Sequence, residues 1–167
     1  MGRGGVTGVA PPTYAGRGLD VAQREVPCEL PYTMPTFLKT YAAAIVAFCI
    51  LDFTWIGFVA KGLYNEQMGH LLRPDVQWGA AVLFYLIYVA AIVILCVQPA
   101  VERHSALRAL TLGAVFGLAA YAAFDLTSLA LLKDFPAKIA YIDLAWGTCL
   151  TSAVSYAAYR ASITFAG

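Results

Sequence analysis

The sequence predicts an all-α integral membrane protein with four transmembrane helices in an up-down antiparallel bundle. Three observations carry that prediction. Of the 167 residues, 60% are hydrophobic and only 13% are charged, against about 25% charged in an average soluble domain. The apolar residues gather into blocks near the roughly 20 residues needed to cross about 30 Å of hydrocarbon at about 1.5 Å per residue. The connections between blocks are short, so neighbouring helices run antiparallel. The spans are helical because an isolated segment in lipid must satisfy its own backbone hydrogen bonds.

Residues 1–33 stand apart. They are rich in Gly, Pro and Arg, show no apolar periodicity and contain no hydrophobic run that would make a secretory signal. A disordered tail is expected there. Met34, followed by Pro35 and the first hydrophobic block, reads as the natural start, and the preceding stretch as a mis-called start or an appended tail. Residues 34–167 then form the membrane domain.

The first span is expected over about Phe37 to Val59, interrupted by Lys39 and Asp52. The second covers about Trp78 to Val97, with Pro99 as its stop. The third runs from about Ala106 to Leu132 and the fourth from about Ile139 to Tyr159. Ala60 to Gln77 is the longest connection, with Gly62, Gly69 and Pro74 as breakers, whereas Lys133-Asp134-Phe135-Pro136 forces a tight helical hairpin. Lys39, Arg103, Arg108 and Arg160 fall on one side of the membrane, and Lys61, Arg73, Lys133 and Lys138 on the other. The positive-inside rule is therefore balanced, and only Arg3, Arg17 and Arg24 of the tail favour both termini inside.

A net charge of +1 provides no basic field for nucleic acid. Cys28, Cys49, Cys96 and Cys149 have no metal-ligand spacing, and His70 and His104 fall in connections, so no metal site is expected. No cofactor motif is present either.

Three carboxylates interrupt the apolar blocks: Asp52, Asp125 and Asp143. A charged side chain at the centre of a spanning helix costs roughly 2.5–3.5 kcal/mol on insertion scales, so a partner, a cavity or a proton must offset each. Counting residues from the expected span ends puts all three roughly 6–12 Å inside the same face. Tyr85 and Tyr88 enter from that face, and Thr54, Thr127 and Ser128 adjoin the acids. Tyr121 lies one turn before Asp125, while Trp55 and Trp146 each follow an aspartate by three residues, within donating distance on one helix face. Lys61, Lys133 and Lys138 are placed to snorkel toward the cluster.

Other features read as packing. Ala109, Gly113 and Gly117 make a small-xxx-small stripe for close helix approach, within the chain or between protomers. Tyr32, Phe37, Tyr41, Tyr64, Trp78, Tyr141 and Tyr159 read as interfacial belts. Asp52-Phe53-Thr54 and Asp125-Leu126-Thr127 form a short internal match between spans of the same direction.

Several blocks resemble one family. They are Phe48 to Gly57 (FCILDFTWIG), Phe84 to Tyr88 (FYLIY), Gly113 to Gly117 (GAVFG), Tyr121 to Thr127 (YAAFDLT) and Asp143 to Gly147 (DLAWG). In this order they are similar to the blocks of the bacterial DUF2177 membrane proteins, over about Met34 to Tyr159. Ser128 departs from the pattern, where an Asn is expected. The resemblance implies a small four-helix bacterial inner-membrane protein with all three aspartates in motif blocks, and it assigns no activity.

Two readings of the cluster follow. One is a structural polar knot holding helix register; the other is a shallow cavity open to one face that binds a proton, cation or polar head group. The second leads to a binding or transport module, a homo-oligomer or one that works with other membrane subunits. Asp52 and Asp125 would be its carboxylates and Asp143 their electrostatic modulator. The alternatives are an enzyme acting on a lipid or isoprenoid by acid-base chemistry with Tyr85 or Tyr121 assisting, and an accessory subunit.

Overall fold

Runs of apolar helix formers broken by short polar turns become four helices in the computed structural model, which describes residues 33–71, 73 and 75–166. The expected tail lies outside the described residues except for Thr33, and so does Cys28. Thr33 is in fact the N-cap of α1 (Met34–Met68), its hydroxyl accepting from the Thr36 amide at 3.4 Å. Pro35 follows in the first turn, where its missing N–H leaves no bond unmade.

α1 does not end near Val59 but continues to Met68. The segment Lys61–Met68 supplies enough helix formers for Gly62 to be tolerated in it. Between the two α-helical stretches lies a wide π-helical turn, Trp55–Ala60. α2 (Trp78–Glu102) likewise runs past its expected stop. Pro99 sits just after a second π-helical turn, Val93–Val97, at the start of the last α-helical segment. The widened turn shifts the hydrogen-bond register just before the proline, the Gln98 amide donating to the Val93 carbonyl.

α3 (Ala106–Leu131) opens on Ser105, whose hydroxyl accepts from the Arg108 amide at 3.2 Å. The α2–α3 turn passes through His104 at φ 48, with the Ser105 amide donating to the Ala100 carbonyl at 3.0 Å. The α3–α4 turn passes through Asp134 at φ 62, as the expected hairpin requires. α4 (Ala137–Ala166) is the longest α-helical run, at 30 residues.

α4 is the centre of the bundle, packed along α3 and α1. Its inward face carries Asp143, Thr151, Ser155 and Ser162, all buried. That polar face explains a difference from expectation: among the described residues α1, α2 and α3 are long and apolar enough to cross a membrane, whereas α4 has the length without the apolarity. A helix surrounded by protein needs less apolar surface than one facing lipid. The outer faces show the converse, with Phe58, Leu131 and Leu107 at 89%, 82% and 69% exposure.

The small-residue stripe of α3 is spent inside the chain. A Cβ on Gly113 would stand 2.6 Å from Ser155 Oγ and 2.8 Å from the Thr151 carbonyl of α4. One on Gly117 would run into the Gly147 carbonyl. Ser152 Oγ adds a bond to the Leu110 carbonyl at 2.9 Å. Between α1, α2 and α4, Phe48, Val89, Ile92, Val93, Leu150 and Val154 form the apolar core.

Candidate functional site

The two tryptophans set the register between α1 and α4. Trp55 and Trp146 stack with centroids 4.3 Å apart and planes 7° from parallel. Each follows its aspartate by three residues on antiparallel helices. Asp143 stands between the other two acids electrostatically: Asp125 feels its charge, and Asp143 feels that of Asp52.

Their partners also differ from those expected. Tyr85 Oη donates to Asp52 Oδ2 at 2.5 Å. Trp146 Nε1 approaches that same carboxylate without reaching hydrogen-bonding geometry, although it follows Asp143 in sequence. Asp143 Oδ1 instead accepts from Tyr64 Oη. Trp55 Nε1 approaches Tyr64 in the same non-bonding way. Tyr64 was read as part of an interfacial belt; the π-helical turn that precedes it and the continuation of α1 to Met68 bring it to the acid. Nothing in local spacing marks it, because the extra residue in the wide turn rotates everything after Ala60.

Asp125 is the exception. It is 1% exposed, and neither carboxylate oxygen has a hydrogen-bond partner. Tyr121, expected to donate to it, instead lays its ring against Gly147. Thr127, also expected there, turns its hydroxyl back to the Ala123 and Phe124 carbonyls. Tyr88 pairs with Thr151 at 2.8 Å. Lys61, Lys133 and Lys138 are exposed, and among the described residues no lysine or arginine pairs with any of the three acids.

Asp125 and Asp143 do share a cavity of about 310 Å³. Phe84 and Tyr88 of α2 form one wall, Ala120, Tyr121 and Phe124 of α3 the other. Asp52 is not among its lining residues, nor are Trp55, Tyr85, Thr127 or Trp146. The cavity exists because α2 and α3 meet near Val93–Glu102 and part toward Trp78. Tyr88 and Phe116, stacked at 5.4 Å, close the narrow end of the gap.

The arrangement has two satisfied acids and one that is not. It can stabilise positive charge at Asp125 and Asp143, and no metal-holding group of three His, Cys, Asp or Glu side chains occurs among the described residues. The sequence profile of a family described as predicted membrane protein, DUF2177, matches residues 37–160. The chain belongs to the DUF2177 family. No curated protein and no solved structure matches this DUF2177 chain. The matched region contains every residue of the cluster, from Asp52 to Trp146.

The Tyr85–Asp52 bond makes a direct prediction. Tyr85→Phe removes a donor to a buried carboxylate and is expected to cost about 1–3 kcal/mol. Thermal unfolding in detergent of Tyr85→Phe, Asp52→Asn and the double variant checks it. The pair is refuted as a stabilising bond if the double variant equals the sum of the two single losses.

Proposed function

We propose that this DUF2177 protein is a binding or transport module of the bacterial inner membrane that takes a proton or small cationic solute at Asp125 and Asp143. The observation that carries this reading is the unpartnered Asp125 carboxyl group, buried at the wall of a cavity that a second acid also lines. Hydrocarbon burial of an unpaired acid is costly, and intramembrane acids of this kind mark ion and substrate pathways. Asp52 takes a supporting role here, because Tyr85 already satisfies one of its oxygens and it stands away from the cavity.

All four helices cross the bilayer in this reading. α4 packs along α3 through Gly113, Gly117 and Gly147, which holds the two at the same depth. Four short helices rarely enclose a full pathway alone, so in this reading the working form is a homo-oligomer or a complex with other membrane subunits.

Infrared difference spectroscopy of lipid-reconstituted protein tests the site. A carboxyl band is expected to change with pH, and Asp125→Asn to remove it. Asp143→Asn is expected to move that band, since the two acids interact. A spectrum with no pH-dependent carboxyl band from Asp125 overturns the proposal.

A further inference from the structure

The same cavity says more about its occupant, on the reading that it binds positive charge. Its polar groups are few: the Asp125 and Asp143 carboxyls and the tyrosine rims, set between aromatic walls. Phe84 and Tyr88 stack with centroids 5.2 Å apart on one side, and Tyr121 and Phe124 stand on the other. A hard metal ion demands six or more oxygen ligands, which two carboxylates among aromatic rings do not supply. Tyr88 is stacked between Phe84 and Phe116, so the open ring surface comes from Phe84 and Phe124. Such surface beside an anionic base suits a different cation, an alkylated ammonium, whose diffuse charge is attracted by ring quadrupoles and whose methyl groups need no hydrogen bonds.

Size and access agree. At about 310 Å³ the cavity is at the small end of ligand sites, suited to a head group rather than a large molecule. Its mouth lies where α2 and α3 part, and the rings at that mouth, Phe84 and Phe124, are 49% and 62% exposed. That exposed surface faces the lipid side of the bundle, so entry is lateral from the bilayer.

We infer that the cavity between α2 and α3 is an aromatic box for an organic ammonium group, with Asp125 and Asp143 as counter-ions. The group arrives either on a soluble molecule or as a lipid head group.

The full chain in detergent is titrated with choline and with its neutral tert-butyl isostere, followed by tryptophan fluorescence and thermal shift. Choline is expected to bind at least about tenfold more tightly than the isostere, about 1.4 kcal/mol. Asp125→Asn abolishes that preference. Phe124→Leu, at an exposed position that tolerates change, lowers choline affinity several-fold while leaving the isostere unaffected. Nanodiscs then separate the sources. Weaker choline binding in phosphatidylcholine than in phosphatidylglycerol assigns the site to a lipid head group, and equal binding assigns it to a soluble cation.

Equal affinity for choline and isostere, or choline binding indifferent to both substitutions, overturns the aromatic box. If the Asp125 carboxyl band still responds to pH in that case, the binding site stands and only its occupant is wrong.

Discussion

Asp125→Leu is expected to raise the thermal stability of the protein while abolishing cation binding. The buried Asp125 carboxyl has neither an ion-pair partner nor a hydrogen bond, and leaving such a group unsatisfied costs about 1–3 kcal/mol. Leucine removes that cost by putting methyl groups in place of the two carboxylate oxygens, and the adjoining cavity has room for their slightly larger volume. A gain of about 1–3 kcal/mol is expected on the same grounds. The identical substitution at Asp52 is expected to have the opposite sign, because it strands the Tyr85 hydroxyl that now donates to the carboxylate. Unfolding of both variants in one detergent decides the matter. If Asp125→Leu destabilises as much as Asp52→Leu, then Asp125 is a structural acid and the site is elsewhere. A residue kept at a cost to stability marks function, which is why this contrast weighs more than either variant alone.

Gly147→Ala is expected to be a strongly damaging single-methyl change in the bundle. A Cβ at Gly147 would overlap the ring of Tyr121, and Tyr121 is a wall of the cavity. Forcing a methyl into a packed site costs about 1–3 kcal/mol. Displacing the ring also deforms the cavity, so choline affinity is expected to fall together with stability. Gly62→Ala is the matched control: nothing stands within 4 Å of its Cβ position, and relief of helical glycine stabilises by up to about 1 kcal/mol. Equal effects at the two glycines refute the close α3–α4 approach. Gly117 is held by the Gly147 carbonyl in the same seam, so the prediction extends to it.

Much of the architecture is legible in the sequence itself. Apolar block length, short connections and the Lys133–Pro136 turn led to four antiparallel helices, and the family match over residues 37–160 agrees with a membrane protein. These signals are local and additive, which is why they survive without tertiary information. Helix ends were less legible. α1 and α2 run on to Met68 and Glu102 through π-helical turns at Trp55–Ala60 and Val93–Val97. No composition rule anticipates a widened turn.

The candidate site divides the same way. Sequence alone determined that three acids sit inside apolar helices and that each needs an explanation, because the cost of burying charge depends only on residue type and surroundings. It put Tyr85 at the level of the acids without choosing among them, and the structure gives it to Asp52. Only the tertiary structure decided which acid goes without a partner. Helical spacing proposed Tyr121 for Asp125, Trp55 for Asp52 and Trp146 for Asp143; packing turned Tyr121 toward Gly147, Trp146 toward Asp52 and Tyr64 toward Asp143. A partner across helices depends on rotation and register, and here those follow from one wide turn in α1 and from glycines that let α3 and α4 touch. The pairing of acids and donors is a property of that contact, not of any segment by itself.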